Sequence, residues 1–199
     1  MLPLGDSITL GVPHTYRYAL ARALSERGQE VDFVGSVQGS DGIYPDGWDQ
    51  DHEGHSGWSV GDIDAELEGW LRGYTADVAL VHLGTNDVAA VREGEISLAE
   101  SEASMRGIVA KLRAQNPRVA IVLAQILPYG GEFASFNATV DDWNRRLVVL
   151  ASALTTADSP VSVVDMNTGF GEGDLDEDGI HPSAAGAARM AGVWADALR

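Results

Sequence analysis

The chain has 199 residues, 45% of them hydrophobic, enough to build a sizeable core and to read as one domain over residues 1–199. Thirty acidic against 13 basic residues give a formal charge of −17, and Lys111 is the single lysine, which argues against nucleic acid or an anionic membrane as partner. The absence of cysteine removes disulfides, thiolate nucleophiles and cysteine-ligated zinc, and no apolar run reaches the roughly 18 residues of a membrane-spanning helix.

In chain order, residues 1–4 read as a first strand, and a helix carrying Leu20 and Leu24 runs to about Gly28. Residues 31–35, Val-Asp-Phe-Val-Gly, predict a second strand closed by glycine, and 36–57 predict a long polar loop. Ser59 is placed to cap a helix over 59–71 whose apolar face holds Ile63, Leu67, Trp70 and Leu71. A buried strand over 78–83, a helix over 97–115 and a continuous apolar strand over 119–124 follow. A helix over 140–154, a strand over 161–164 and a helix over 183–198, entered at Pro182, complete the pattern. Five strands separated by helices predict an α/β fold with a mainly parallel sheet and right-handed crossovers. Ligands of such folds sit beyond the carboxyl ends of the strands, which brings Ser7, Asn86, Asp178 and His181 toward one edge.

Those four residues suggest acyl chemistry. A serine hydroxyl becomes a nucleophile when a base takes its proton, and an imidazole suits that exchange near neutrality. Among five histidines, His181 stands out because Asp178 lies three residues before it, in Asp178-Gly179-Ile180-His181-Pro182, where a loop can turn the carboxylate onto one ring nitrogen. Acyl transfer also needs donors for the oxygen that becomes negative. Asn86, in Gly84-Thr85-Asn86-Asp87, can supply its amide, Gly57 an unobstructed backbone N–H, and Ser7 its own. Each motif alone has a plainer reading: Ser7 as a helix cap, Asp178-Gly179 as a turn, Asn86 and Gly57 as turn residues. Their joint presence favours chemistry.

The four segments resemble the SGNH (GDSL-type) hydrolase superfamily, whose blocks carry a serine, a glycine, an asparagine and a histidine in this chain order. The resemblance implies a three-layer α/β/α sandwich, flavodoxin-like, with a five-stranded parallel sheet in the order 2-1-3-4-5. It implies Ser7, Asp178 and His181 as catalytic residues, with Ser7, Gly57 and Asn86 forming an oxyanion hole. Within the superfamily, Tyr16-Arg17-x-x-Leu20, Asp32-Phe33-Val34-Gly35-Ser36 and the 52–58 segment, His-Glu-Gly-His-Ser-Gly-Trp, look like the branch of family 3 carbohydrate esterases typified by acetylxylan esterases. Secreted members carry a signal peptide and often carbohydrate-binding or docking modules, none of which is present in these residues. The sequence as it stands therefore reads as cytoplasmic, or as secreted if a signal peptide has been removed.

The expected function is a serine esterase acting on short acyl groups, acetyl above all, of a small-molecule or carbohydrate ester. Tyr44, Trp48 and Trp58 are candidates to stack on a sugar ring. Acyl-thioesters, lysophospholipids and acylated natural products are alternative substrates within the same superfamily. A noncatalytic carbohydrate-binding module is the alternative of another class. No cofactor and no metal is expected. Residues 174–179 match only the first half of a calcium loop, with Ala185 where a glutamate is needed, and His52-Glu53-Gly54-His55 is one residue short of a zinc motif. His82 reads as a hydrogen-bonded buried histidine, His14 as a helix-entry residue, Asn144 as part of a polar helix face, and Asp165 as an acid that organises a loop. No feature specifies an oligomeric state.

Overall fold

A computed structural model describes Met1–Arg199. Its six-stranded sheet runs β2-β3-β1-β4-β5-β6, with β1 at Leu2–Gly5, β2 at Val37–Gln38, β3 at Asp51–Gly54, β4 at Val78–His82, β5 at Ala120–Gln125 and β6 at Val161–Asp165. All neighbours are parallel except β2 and β3. Seven α-helices connect them: α1 (Ser7–Leu10), α2 (Tyr16–Glu26), α3 (Val60–Trp70), α4 (Thr85–Glu93), α5 (Leu98–Gln115), α6 (Asn137–Leu154) and α7 (Ala184–Ala197).

Strand alternation builds the layers. Ala79, Val81, Ile121 and Leu123 point to one face, against α3, α5 and α6, while Leu80, Val122 and Ala124 point to the other, against α2 and α7. The result is the expected three-layer α/β/α sandwich. Helix starts follow the sequence closely: Ser59 and Ser97 each close a capping box, with Asp62 and Glu100 respectively, and Ser183 accepts from the Gly186 N–H.

The sheet departs from expectation on the β1 flank. Residues 31–35 are not a regular strand; toward β1 they reach only Met1 just before it, where Val34 N donates to Met1 O at 2.9 Å and the terminal ammonium donates to Asp32 O at 2.6 Å, while Phe33 N donates to Asp49. The pairing position beside the end of β1 is taken by β3, read from sequence as polar loop, through the registers Leu4↔Glu53 and Gly5↔Gly54. The sheet therefore has six strands rather than five, one of them antiparallel. The Asp-His-Glu-Gly composition of β3 concealed it, because His52 and Glu53 are polar yet both buried instead of alternating with solvent. Helix α4 was also unforeseen.

Arginines brace this framework from within. Arg17 is fully buried, and its guanidinium donates to the carbonyls of Thr9 (2.9 Å), Leu10 (3.0 Å), Gly39 (2.5 Å) and Gln50 (2.8 Å), tying α1 to the loops around β2 and β3. Burial draws its pKa down to about 10. Arg113 holds the carbonyls of Leu154 and Ser159, and Arg189 those of Thr168 and Gly169.

Replacing Arg17 by Met keeps a long apolar stem but strands four acceptors. Charged hydrogen bonds contribute about 1.5–3 kcal/mol each, and the losses overlap, so we expect at least ~3 kcal/mol of destabilisation. For a chain of this size that lowers Tm by roughly 6–12 °C. Thermal unfolding of Arg17→Met measures it; a shift below about 2 °C would show that the four carbonyls find other donors.

Candidate active site

β1 occupies the middle of the sheet, and the chain leaves it first toward β3 on one side and later toward β4 on the other. This reversal opens a crevice at the carboxyl ends of β1, β3 and β4. Ser7, Gly57 and Asn86 lie just beyond those three ends. Gly5 ends β1 where a Cβ would stand 2.6 Å from the His82 carbonyl and closer still to Thr9, so the chain turns there without a side chain. Asp6 then caps α1, accepting from Ile8 N at 2.9 Å, and Ser7 opens the helix.

The partners come from the far edge. After β6 the chain returns across the ends of the sheet, pinned by Gly130 N to Gly179 O (2.7 Å) and Asp176 N to His181 O (2.8 Å). It delivers His181 Nε2 to 2.8 Å from Ser7 Oγ, while His181 Nδ1 stands 2.5 Å from Asp178 Oδ2. The other oxygen, Oδ1, accepts from Ile180 N (2.8 Å) and His181 N (2.9 Å). Burial alone would raise the Asp178 pKa, but the hydrogen bonds from His181 and the two backbone amides outweigh it and hold the carboxyl below its ordinary range. The arrangement can withdraw the hydroxyl proton of Ser7 into an imidazole oriented from behind by a carboxylate.

The asparagine is positioned with equal care. Gly84 adopts φ +124°, and a Cβ there would lie 2.0 Å from Trp143 Nε1, which itself donates to Leu83 O at 3.0 Å. Tyr129 Oη donates to Thr85 O at 2.7 Å. Asn86 Nδ2 donates one hydrogen to Trp58 O at 2.8 Å, leaving the second free. Gly57, exposed at φ +80°, has an N–H with no partner in the chain. Trp143 and Tyr129 carried no sequence signal for this role, because their function lies in reaching a distant backbone carbonyl.

Other sequence candidates fall as follows. The Trp58 ring packs on His55 and Trp70, while Tyr44 and Trp48 join Tyr18 in one aromatic cluster, with Arg17 over Trp48 and Thr15 N donating to Tyr44 Oη. Asn144 is not on a polar face: it is buried and clasps both backbone groups of Ile126, at 2.8 and 3.1 Å. His82 is buried without a partner on either ring nitrogen, contrary to the expected hydrogen bond, and burial lowers its pKa to about 4, so it is neutral. Asp165 organises its loop through the N–H groups of Asn167 and Thr168. His14 precedes α2 and lines a groove of about 570 Å³ with Pro13, Tyr18, Tyr44 and Ala184. No cluster of three or more His, Asp or Glu is arranged to hold a metal ion.

Asp6, the cap of α1, directly precedes Ser7. It is fully buried, its Oδ2 has no partner, and burial raises its pKa to about 6. A folded-state pKa above the unfolded value near 3.9 means that the native protein holds this proton more tightly, so Asp6 costs stability increasingly as pH rises from about 4 to 6. Asp6→Asn keeps the cap and removes the titration. The Tm advantage of the variant over the parent should grow between pH 4 and 7; a constant difference would mean that Asp6 does not titrate in that window.

The GDSL-like Lipase/Acylhydrolase family profile matches residues 4–189. A multidomain esterase of Ruminococcus flavefaciens is 25% identical over 234 positions, covering all of this chain and 28% of that protein, so the chain spans little more than a quarter of its relative's length. Among solved structures, a family 3 carbohydrate esterase from Talaromyces cellulolyticus superposes with TM-score 0.89 at 33% identity, covering 99% of this chain and 94% of that one. An acetyl esterase mutant with acetate ion gives 0.88 at 32%, again covering 99% and 94%, and a Clostridium thermocellum family 3 carbohydrate esterase 0.81 at 27%, covering 98% and 92%. With a family match running from the first strand into the last helix, the chain belongs to the GDSL-like lipase/acylhydrolase family and has the SGNH hydrolase fold.

Proposed function

We propose that residues 1–199 act as one serine esterase domain that removes short acyl groups, acetyl foremost, from carbohydrate esters. The observation that carries the chemistry is the relay from Ser7 Oγ through His181 to Asp178, at 2.8 and 2.5 Å. Ser7 Oγ attacks the ester carbonyl as its proton passes to His181 Nε2, and Asp178 stabilises the imidazolium through Nδ1–H. The carbonyl oxygen becomes negative between the N–H groups of Ser7 and Gly57 and the free amide hydrogen of Asn86. His181 then gives its proton to the departing alcohol as the C–O bond breaks, leaving an acyl group on Ser7. Water enters, His181 takes one of its protons as the hydroxide adds to the carbonyl, and the tetrahedral species collapses with cleavage of the bond to Ser7 Oγ, to which His181 returns the proton, releasing the carboxylic acid.

The substrate class rests on two supports. Structural neighbours include family 3 carbohydrate esterases and an acetyl esterase. The groove bearing Tyr18 and Tyr44 opens between the segment after α1 and the first turn of α7, beside the elements that carry Ser7 and His181, and suits a ring-shaped alcohol. Tyr44 is the ring best placed to meet it, with Trp48 behind and Trp58 beside Gly57.

Asn86→Ala should lower kcat by about 10²–10³ with a smaller change in KM, because its contact strengthens as the oxyanion forms. Ser7→Ala should abolish hydrolysis of p-nitrophenyl acetate, and a serine-directed phosphonate should label the parent at Ser7 alone. A folded Ser7→Ala variant that still turns over would reject the mechanism.

Acetyl esters should exceed octanoyl esters in kcat/KM, and acetylated xylo-oligosaccharides should be deacetylated. Each methylene contributes only ~0.8 kcal/mol on burial, so the preference must come from closure of the acyl site. Faster octanoyl turnover, or turnover of acyl thioesters with acetylated sugars untouched, would sink the carbohydrate assignment and leave the serine chemistry standing.

A further inference from the structure

Glu53 lies on β3, well away from the reactive serine in sequence, and its carboxyl is wholly buried. It accepts four hydrogen bonds: from Ser36 N (2.9 Å), Ser36 Oγ (2.6 Å), Tyr74 Oη (2.5 Å) and His55 Nε2 (2.8 Å). Burial pushes its pKa up, but these donors outweigh burial and the net shift is downward. An ionised carboxylate only accepts, so His55 must carry its proton on Nε2. That fixes the imidazole plane, and the ring lies against two indoles, 4.3 Å from Trp70 at 11° and 4.7 Å from Trp58 at 28°.

Trp58 connects this cluster to the oxyanion hole. Its carbonyl takes one amide hydrogen of Asn86, and its N–H reaches back to His55 O at 3.3 Å, enclosing Gly57 in the turn between them. His55 N is bonded to Gly5 O at 3.0 Å, and Val60 N to Asp87 Oδ2 at 2.9 Å. Thus the Gly57 turn is suspended between β1 on one side and the Asn86-Asp87 pair on the other. Its middle is anchored through Trp58, whose indole packs on the His55 and Trp70 rings and whose carbonyl accepts from Asn86.

We propose that Glu53 and His55, acting through Trp58 and Trp70, are positioning residues that set the Gly57 N–H and the Asn86 amide at the distance a tetrahedral oxyanion requires. Neither touches the substrate. Their effect falls on the transition state, because a donor displaced by a few tenths of an ångström still binds a neutral carbonyl but loses the strengthened bond to the oxyanion. The proposal rests on the serine esterase reading above.

The test is a double-mutant cycle on p-nitrophenyl acetate hydrolysis, with thermal unfolding of every variant. His55→Phe keeps a flat ring for stacking and removes the bond to Glu53; Glu53→Gln offers one acceptor oxygen in place of two; Trp70→Phe is the mild variant should either of these fail to fold. Expected in the parent background is a fall in kcat of tenfold or more for His55→Phe or Glu53→Gln, and a smaller fall for Trp70→Phe. KM should stay within about twofold, and affinity for an alkylboronic acid, which forms a tetrahedral adduct, should fall in step with kcat/KM. In the Asn86→Ala background the same substitutions should cost less than threefold more. Equal losses in both backgrounds, a rise in KM at constant kcat, or a folded variant with parental kcat would overturn the proposal while Ser7-dependent esterase activity persists in the parent. A parent without that activity would instead reject the esterase reading, and the positioning role with it.

Discussion

A single hydrogen bond between Ser7 and His181 spans 174 positions of sequence, and the fold is organised around closing it. The first strand must be central, so that the residue after it meets the crevice where the strand order reverses. The last connection must therefore cross back from the edge strand β6 over β5 and β4. That return costs the chain an irregular stretch between β6 and α7, stabilised by backbone bonds to Gly130 and by the isolated bridge between Leu175 and Pro182. Such a bond is reached only when both ends of the chain have folded onto the same sheet.

The oxyanion donors obey a different logic. Asn86 and its turn are held by groups close in space but far away in sequence: Trp143 against Gly84, Tyr129 on the Thr85 carbonyl, and the Trp58 carbonyl on the Asn86 amide. In the proposed reading the site couples the closure that brings base to nucleophile with packed contacts that fix the asparagine donor. Preorganisation of this kind means that little reorientation accompanies the build-up of charge.

The legible part of this structure is the part governed by periodicity and by residue chemistry. The apolar runs of β4, β5 and β6, the Ser59 cap of α3, the starts of α5 and α7, and the Asp178-to-His181 spacing could each be read because one local segment contains the whole signal. β3 could not, since its buried Glu53 and His52 depend on partners supplied by Ser36, Tyr74 and the Gly54 backbone. The same holds for Asn144, whose amide looks like a solvent-facing group until the Ile126 backbone is placed beside it. Polar residues buried for a single distant contact follow no period, and short helices such as α1 and α4 are set by tertiary packing rather than propensity.

The inward use of arginine has an electrical consequence. Arg17, Arg113 and Arg189 direct their guanidinium groups at backbone carbonyls, and the planar fork that lets one side chain hold several of these is not available to lysine. Other cations lie on the surface in pairs with acids, as Arg22 with Glu26 and Arg106 with Glu102, and they leave most of the acidic excess of a chain with formal charge −17 uncompensated. The net charge seen from a distance is accordingly negative, and its field decays over the Debye length, about 8 Å at physiological ionic strength. Like molecules repel, which opposes self-association, and added salt relaxes the repulsion within each molecule as well as between them. Neutral esters approach through that field unhindered, whereas polyanionic chains are turned away before any contact with the crevice is made.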